Sequence, residues 1–70
     1  MPTKEEVGAR LKACRQKTGL SGEKAAAELG ISASALSKYE SGERTPRDEV
    51  KIRLADYYNQ TVQAIFFDIA

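Results

Sequence analysis

The sequence has no histidine, no tryptophan and a single cysteine in 70 residues. Without histidine neither an imidazole-based catalytic triad nor a His/Cys zinc site can be assembled, and a lone Cys14 excludes an internal disulfide. Most familiar enzyme chemistry is excluded with them. Long apolar runs are missing as well: the longest, Ala64 to Phe67, is four residues, against roughly 18 to 20 for a helix that spans a bilayer. The charged start Lys4, Glu5, Glu6 has no apolar stretch behind it of the kind a secretion signal carries. These absences set the expectation of a soluble, cytoplasmic protein with no metal, no cofactor and no membrane association. An excess of one charge is also lacking. Eleven basic and ten acidic residues give +1, which is not the surface of a non-specific nucleic-acid binder. The distribution says more: residues 1–47 hold nine Lys/Arg and six Asp/Glu, whereas residues 48–70 hold two and four. A molecule polarised in this way can still dock on an anion.

Residues of the apolar class make up 41% of the chain, but ten are alanines, so nineteen larger side chains must fill the core. That suits one small domain over residues 1–70 in which well-fitted helix packing or self-association supplies the stability. The chain divides into five periodic pieces. Thr3 followed by Glu6 has capping-box spacing, and Val7, Leu11 and Cys14 recur at i, i+4 and i+7, which predicts a helix from Lys4 to Thr18 ending at Gly19. Ser21 caps a second helix, about 22–29, through Ala25, Ala26 and Leu29, with Gly30 as its left-handed stop. Ser32 caps a third, about 33–41, whose Leu36 and Tyr39 face inward and whose end is marked by Gly42. Thr45 and Pro46 are expected to cap and open a fourth helix that runs to about Tyr58, with Asp48 as its third residue and Val50, Leu54 and Tyr58 as its core stripe. Thr61 caps a last turn or two, Val62 to Phe67. No stretch reads as a strand, so the fold class is all-α.

Leu20 to Gly42 is two short helices around the turn Leu29, Gly30, Ile31, with Ala26 four residues before the glycine, where a larger side chain would push the helices apart. Together with the Gly19-Leu20-Ser21 entry, Leu36-Ser37, the Tyr39-Glu40-Ser41-Gly42 exit, Pro46, Leu54-Ala55 and the Val62 to Phe66 ending, this stretch resembles the Cro/C1-type helix-turn-helix family over about 60 residues. The resemblance implies five short helices in a lambda-repressor-like arrangement, with the third helix lying in the major groove of double-stranded DNA. It puts Ala33, Ser34, Ser37 and Lys38 at base-contacting positions, and Ser21, Gly22, Ser41, Arg44 and Arg47 at phosphate-contacting ones. It also implies that Arg15 pairs with Glu40, which a bidentate fork would make strong. Two positions depart from the family pattern. Gly22 stands where Gln is common, so one anchoring side chain is missing, and Lys51 stands where the family is usually apolar.

Other features have plainer readings. Cys14 on the Val7 and Leu11 stripe reads as a small core hydrophobe. The carboxylate pairs Glu23 with Glu28 and Asp48 with Glu49 read as solvated helix faces, because so small a core leaves no cleft of about 300 Å3 for catalysis. Adjacent Phe66 and Phe67 diverge by about 100° on a helix. Phe66 therefore suits the inward face and Phe67 an outward patch with Ile65 and Ile69, expected at a homodimer interface. The combined expectation is a small transcriptional repressor, dimeric on a palindromic operator, that uses no small-molecule ligand. The alternative is a protein-interaction module on the same fold, such as an antitoxin, an antirepressor partner or a bridging factor.

Overall fold

The computed structural model describes residues 1–68, so Ile69 lies outside the described residues. They form five helices and no strand: α1 (Lys4–Thr18), α2 (Gly22–Leu29), α3 (Ala33–Ser41), α4 (Asp48–Tyr57) and α5 (Val62–Phe66). The local signals operate as their spacing predicts. Thr3 and Glu6 close a reciprocal capping box at the start of α1. The Ser21, Ser32 and Thr61 hydroxyls accept from the amides of Lys24, Ala35 and Ala64. Helices this short are marginal alone and depend on tertiary packing. That packing comes from Leu11, Ala25, Ala26, Leu29, Leu36 and Tyr39 of the first three helices, closed by Val50, Leu54, Ala55, Tyr58, Ile65 and Phe66. Cys14 packs against this core partly buried, and burial pushes its thiol up from the ordinary value, away from the reactive thiolate form.

The start of α4 differs from the sequence expectation. Thr45 is exposed and caps nothing, Pro46 is buried ahead of the helix, and Arg47 is the extended N-cap, with no side-chain hydrogen bond. Burial of the proline ring carries the chain two residues past the expected start, and the Arg47 carbonyl accepts the first helical bond from Lys51. Asp48 and Glu49 consequently occupy the first turn, where carboxylates suit the helix dipole. The helix ends one residue early, at Tyr57. The predicted Val50, Leu54 and Tyr58 stripe is buried as expected.

The other end also shifts by one residue. α5 stops at Phe66, and Phe67 is extended and half-buried against the core instead of standing outward on a helix. Ile65, expected beside it in an exposed patch, is 2% exposed, and the large exposed apolar side chains are Met1 and Ile52. No helix among the described residues is long and apolar enough to cross a membrane.

Candidate nucleic-acid interface

The turn between α2 and α3 is set by Gly30, whose φ of 75° is left-handed. Its amide and that of Ile31 return to the carbonyls of Ala27 and Ala26, which ends α2 in a Schellman-type turn and starts α3 three residues later. Ala25 and Ala26, both essentially inaccessible, let the two helices approach closely, and Leu36 fills the angle between them.

Behind α3 lies α1, and the contact is made backbone to backbone at Gly8. A Cβ on Gly8 would overlap the Glu40 carbonyl and come within 2.8 Å of the Tyr39 carbonyl oxygen, so only glycine lets the helices lie so close. The Arg15 guanidinium then donates to both carboxylate oxygens of Glu40 at 2.8 and 3.0 Å and to the Leu20 carbonyl at 3.0 Å. One side chain thus ties α1 to the end of α3 and to the entry of α2. The two side chains are only 17% and 10% exposed, and the hydrogen bonds to Glu40 raise the guanidinium above its ordinary pKa, so Arg15 keeps its charge.

With Leu36 and Tyr39 inward, the opposite side of α3 is open. Ala33, Ser34, Ser37 and Ser41 are exposed and Lys38 is half-buried; at 100° per residue these five positions share an arc of about 140°. Contrary to the expectation of no cleft near 300 Å3, Ala33 and Ser37 border a shallow, open one of 290 Å3 with Gly22 and Glu23 of α2, floored by Leu36 and the Arg15 to Glu40 pair. The α2 N-terminus and the outer face of α3 therefore form one surface. Ser21 is exposed at its edge, but its hydroxyl is already occupied as a cap.

The expected cations are less concentrated. Arg44 is exposed in the loop after α3, its amide bonded to the Lys38 carbonyl, and it lines a different cleft beside Lys4 and Lys51. Arg47 stands apart, 84% exposed and 3.7 Å from Glu49. Glu23 adds a carboxylate to the α2 and α3 surface, and Glu43 is exposed in the loop beside Arg44.

Three structural residues were not singled out in the sequence. Gly8 is one; an isolated glycine inside a helical pattern is its only local signal. Arg10 donates to the carbonyls of Ala64, Ile65 and Phe67 and to Asp68 at 2.7 Å, closing the open end of α5. Arg53 donates to the Leu29 carbonyl at 3.2 Å, at the end of α2. Thus three of the five arginines are spent on helix ends and junctions inside the fold, and Arg44 and Arg47 stand at its surface.

Residues 6–64 match the family described as helix-turn-helix domain. The chain belongs to that family. The match covers all of α2, α3 and α4, and it bears out the Cro/C1-type resemblance. The chain is also 40% identical over 53 residues to the HTH-type transcriptional regulator ImmR of Bacillus subtilis (strain 168), an alignment covering 76% of this chain and 42% of that protein. The chain thus spans less than half the length of the curated relative it matches. No solved structure is matched.

Proposed function

We propose that this helix-turn-helix chain, one domain over residues 1–70, binds double-stranded DNA in a sequence-dependent way and regulates transcription in the cytoplasm as a small repressor. The observation that carries the reading is the outer face of α3: a helix pinned from behind by Gly8 and Arg15, presenting exposed Ala33, Ser34 and Ser37 with Lys38 at the flank. Alanine can touch a thymine methyl, serine can bond several base edges, and lysine can reach guanine O6/N7 or a phosphate. Gly22, Ser21 and Ser41 would lie along the backbone, with Arg44 and Arg47 supplying charge; free amides at the α2 N-terminus favour a phosphate. The relative's printed name, a transcriptional regulator, supports the same reading. No catalysis and no cofactor belong to it.

Two copies suit such a site better than one. The longest extent of the domain is 29 Å, short of the 34 to 36 Å or so between half-sites on one face of a duplex. Four short side chains per half-site bind weakly, and joining two copies on a palindromic operator raises affinity through effective concentration. The partly exposed edge of Phe67 is the proposed contact. A gel shift against a random-sequence duplex pool, titrated with salt, tests binding: log K should fall by about 0.9 per neutralised phosphate against log salt. Sedimentation on the selected duplex should give two copies per site. Failure to shift any duplex would favour the interaction-module reading, to which the near-neutral charge and the missing side chain at Gly22 already lean.

A further inference from the structure

A second cleft, of about 150 Å3, opens on the side of the molecule where the N-terminal segment, the 42–47 loop and α5 meet. Its floor is apolar: Val7, Tyr39, Pro46, Phe66 and Phe67. Its rim carries Lys4, Arg44 and Lys51, and no carboxylate is among its lining residues within the described part of the chain. Lys51 is the unusual member, because its side chain is only 20% exposed and its ion pair is a 3.8 Å contact with Asp48, a carboxylate 98% exposed to water. A contact of that kind is worth little. The ammonium instead sits 5.7 and 5.8 Å from the ring centroids of Phe66 and Phe67, close enough for a cation–π attraction that partly offsets its lost hydration.

A half-desolvated cation above an aromatic floor, with two more cations nearby and, among the described residues, only a solvated counterion, is complementary to an anion that brings an apolar body with it. Volume narrows the choice. A space of roughly 150 Å3 is enough for one benzene-sized ring, so the part of a ligand seated on the apolar floor is a single ring. We propose that this cleft binds a single-ring aromatic carboxylate, its ring among Val7, Phe66 and Phe67 and its carboxylate toward Lys51, Arg44 and Lys4. The ring displaces water from the apolar floor, and the carboxylate supplies the counter-charge that Asp48 provides poorly.

Arg44 also belongs to the loop proposed to touch DNA, so the site is read without DNA. NMR titration of the whole chain with benzoate is compared with benzamide, which keeps the ring and lacks the charge, and with inorganic phosphate, which keeps charge and lacks the ring. Benzoate should give saturable shifts centred on Val7, Lys51, Phe66 and Phe67 and bind about fivefold more tightly than either control, the size of one partly exposed charge pair. Lys51→Gln should remove that advantage, its own spectrum reporting whether it folds, and Arg44→Gln on the exposed loop should weaken benzoate in the same direction. The proposal is overturned if benzoate gives no saturable shift, if benzamide binds equally well, or if both variants bind benzoate like the wild type. Phosphate binding as tightly as benzoate would also overturn it, because the cations would then form a plain anion site.

Discussion

On its inward side α3 is held at every level available to a protein: Leu36 and Tyr39 in the core, bare backbone contact at Gly8, and a two-pronged ion pair from Arg15 to Glu40. On its outward side the same nine-residue helix presents an alanine, three serines and one half-buried lysine. The inner side can be broken by removing or adding a single carbon, whereas the outer side has nothing to break. Rigidity is therefore concentrated where the helix is mounted, and the face it offers is left small enough for another surface to approach closely. The two helical glycines repeat the contrast. Gly8 has backbone atoms where a side chain would be, and Gly22, at the start of α2, has nothing within 4 Å.

If that division is right, the largest effect belongs to Gly8→Ala. The added carbon meets backbone on α3, which cannot rotate away, so α1 must move; the cost should exceed about 3 kcal/mol. A 70-residue domain has only a few kcal/mol to lose, so the thermal transition should be lost or reduced by more than about 12 °C. A Tm within 4 °C or so of the wild type would show that α1 and α3 are loosely packed. Next comes the ion pair. Arg15→Ala or Glu40→Ala leaves a largely buried partner charge uncompensated and should cost roughly 3 kcal/mol, with the double variant less than additive; additive losses in melts would break the coupling.

The inner side also has an alkaline signature. Burial pushes the Tyr58 phenol up to about 12, and the hydrogen bond to Glu28 does the same for Tyr57. A raised folded pKa means that stability is fully present below the unfolded value, roughly 10, and is lost as the pH rises toward 12. The Tm should fall across that window and fall less in Tyr58→Phe. That variant also removes a buried hydroxyl with no hydrogen-bond partner, and should be neutral or more stable by up to about 1 kcal/mol at pH 7. In acid the opposite sign applies. Glu6, bonded to the Thr3 amide, and Asp68, bonded to Arg10, are held below the ordinary carboxylate range. Their contribution is present above pH 4 or so and lost as the pH drops through the folded values. The smallest effects belong to the outer side: Ser34→Ala, Ser37→Ala and Gly22→Ala should each change stability by no more than about 0.5 kcal/mol. A loss above 1 kcal/mol or so in calorimetry would mean that this face is part of the fold.

What the sequence makes legible is local chemistry. Caps, left-handed glycines and the apolar stripe lie within a few residues of one another, so α1, α2 and α3 follow from spacing, and Arg15 with Glu40 follows from family resemblance. What it hides are contacts between segments far apart in the chain. Gly8 against Glu40, Arg10 on the end of α5 and Arg53 on the end of α2 have no periodic signal, since each serves a backbone that only the fold brings near. The start of α4 went astray for the same reason: Thr45 and Pro46 have the local form of a cap, but burial of the proline ring outweighed it. Phe67 was assigned by helical phase, and the helix ended one residue before it. At the interface the face of α3 was readable from Leu36 and Tyr39, whereas the directions of Arg44 and Arg47 depend on a loop and were not.

The most direct test of the division between mount and face is the double variant Lys38→Ala/Arg44→Ala, followed by melting and by salt-titrated binding to the best duplex from selection. The account predicts a melting temperature within about 4 °C of the wild type, weaker binding, and a log K against log salt slope reduced by about one for the phosphate contact of Arg44. An unchanged affinity and slope in a folded double variant would contradict it.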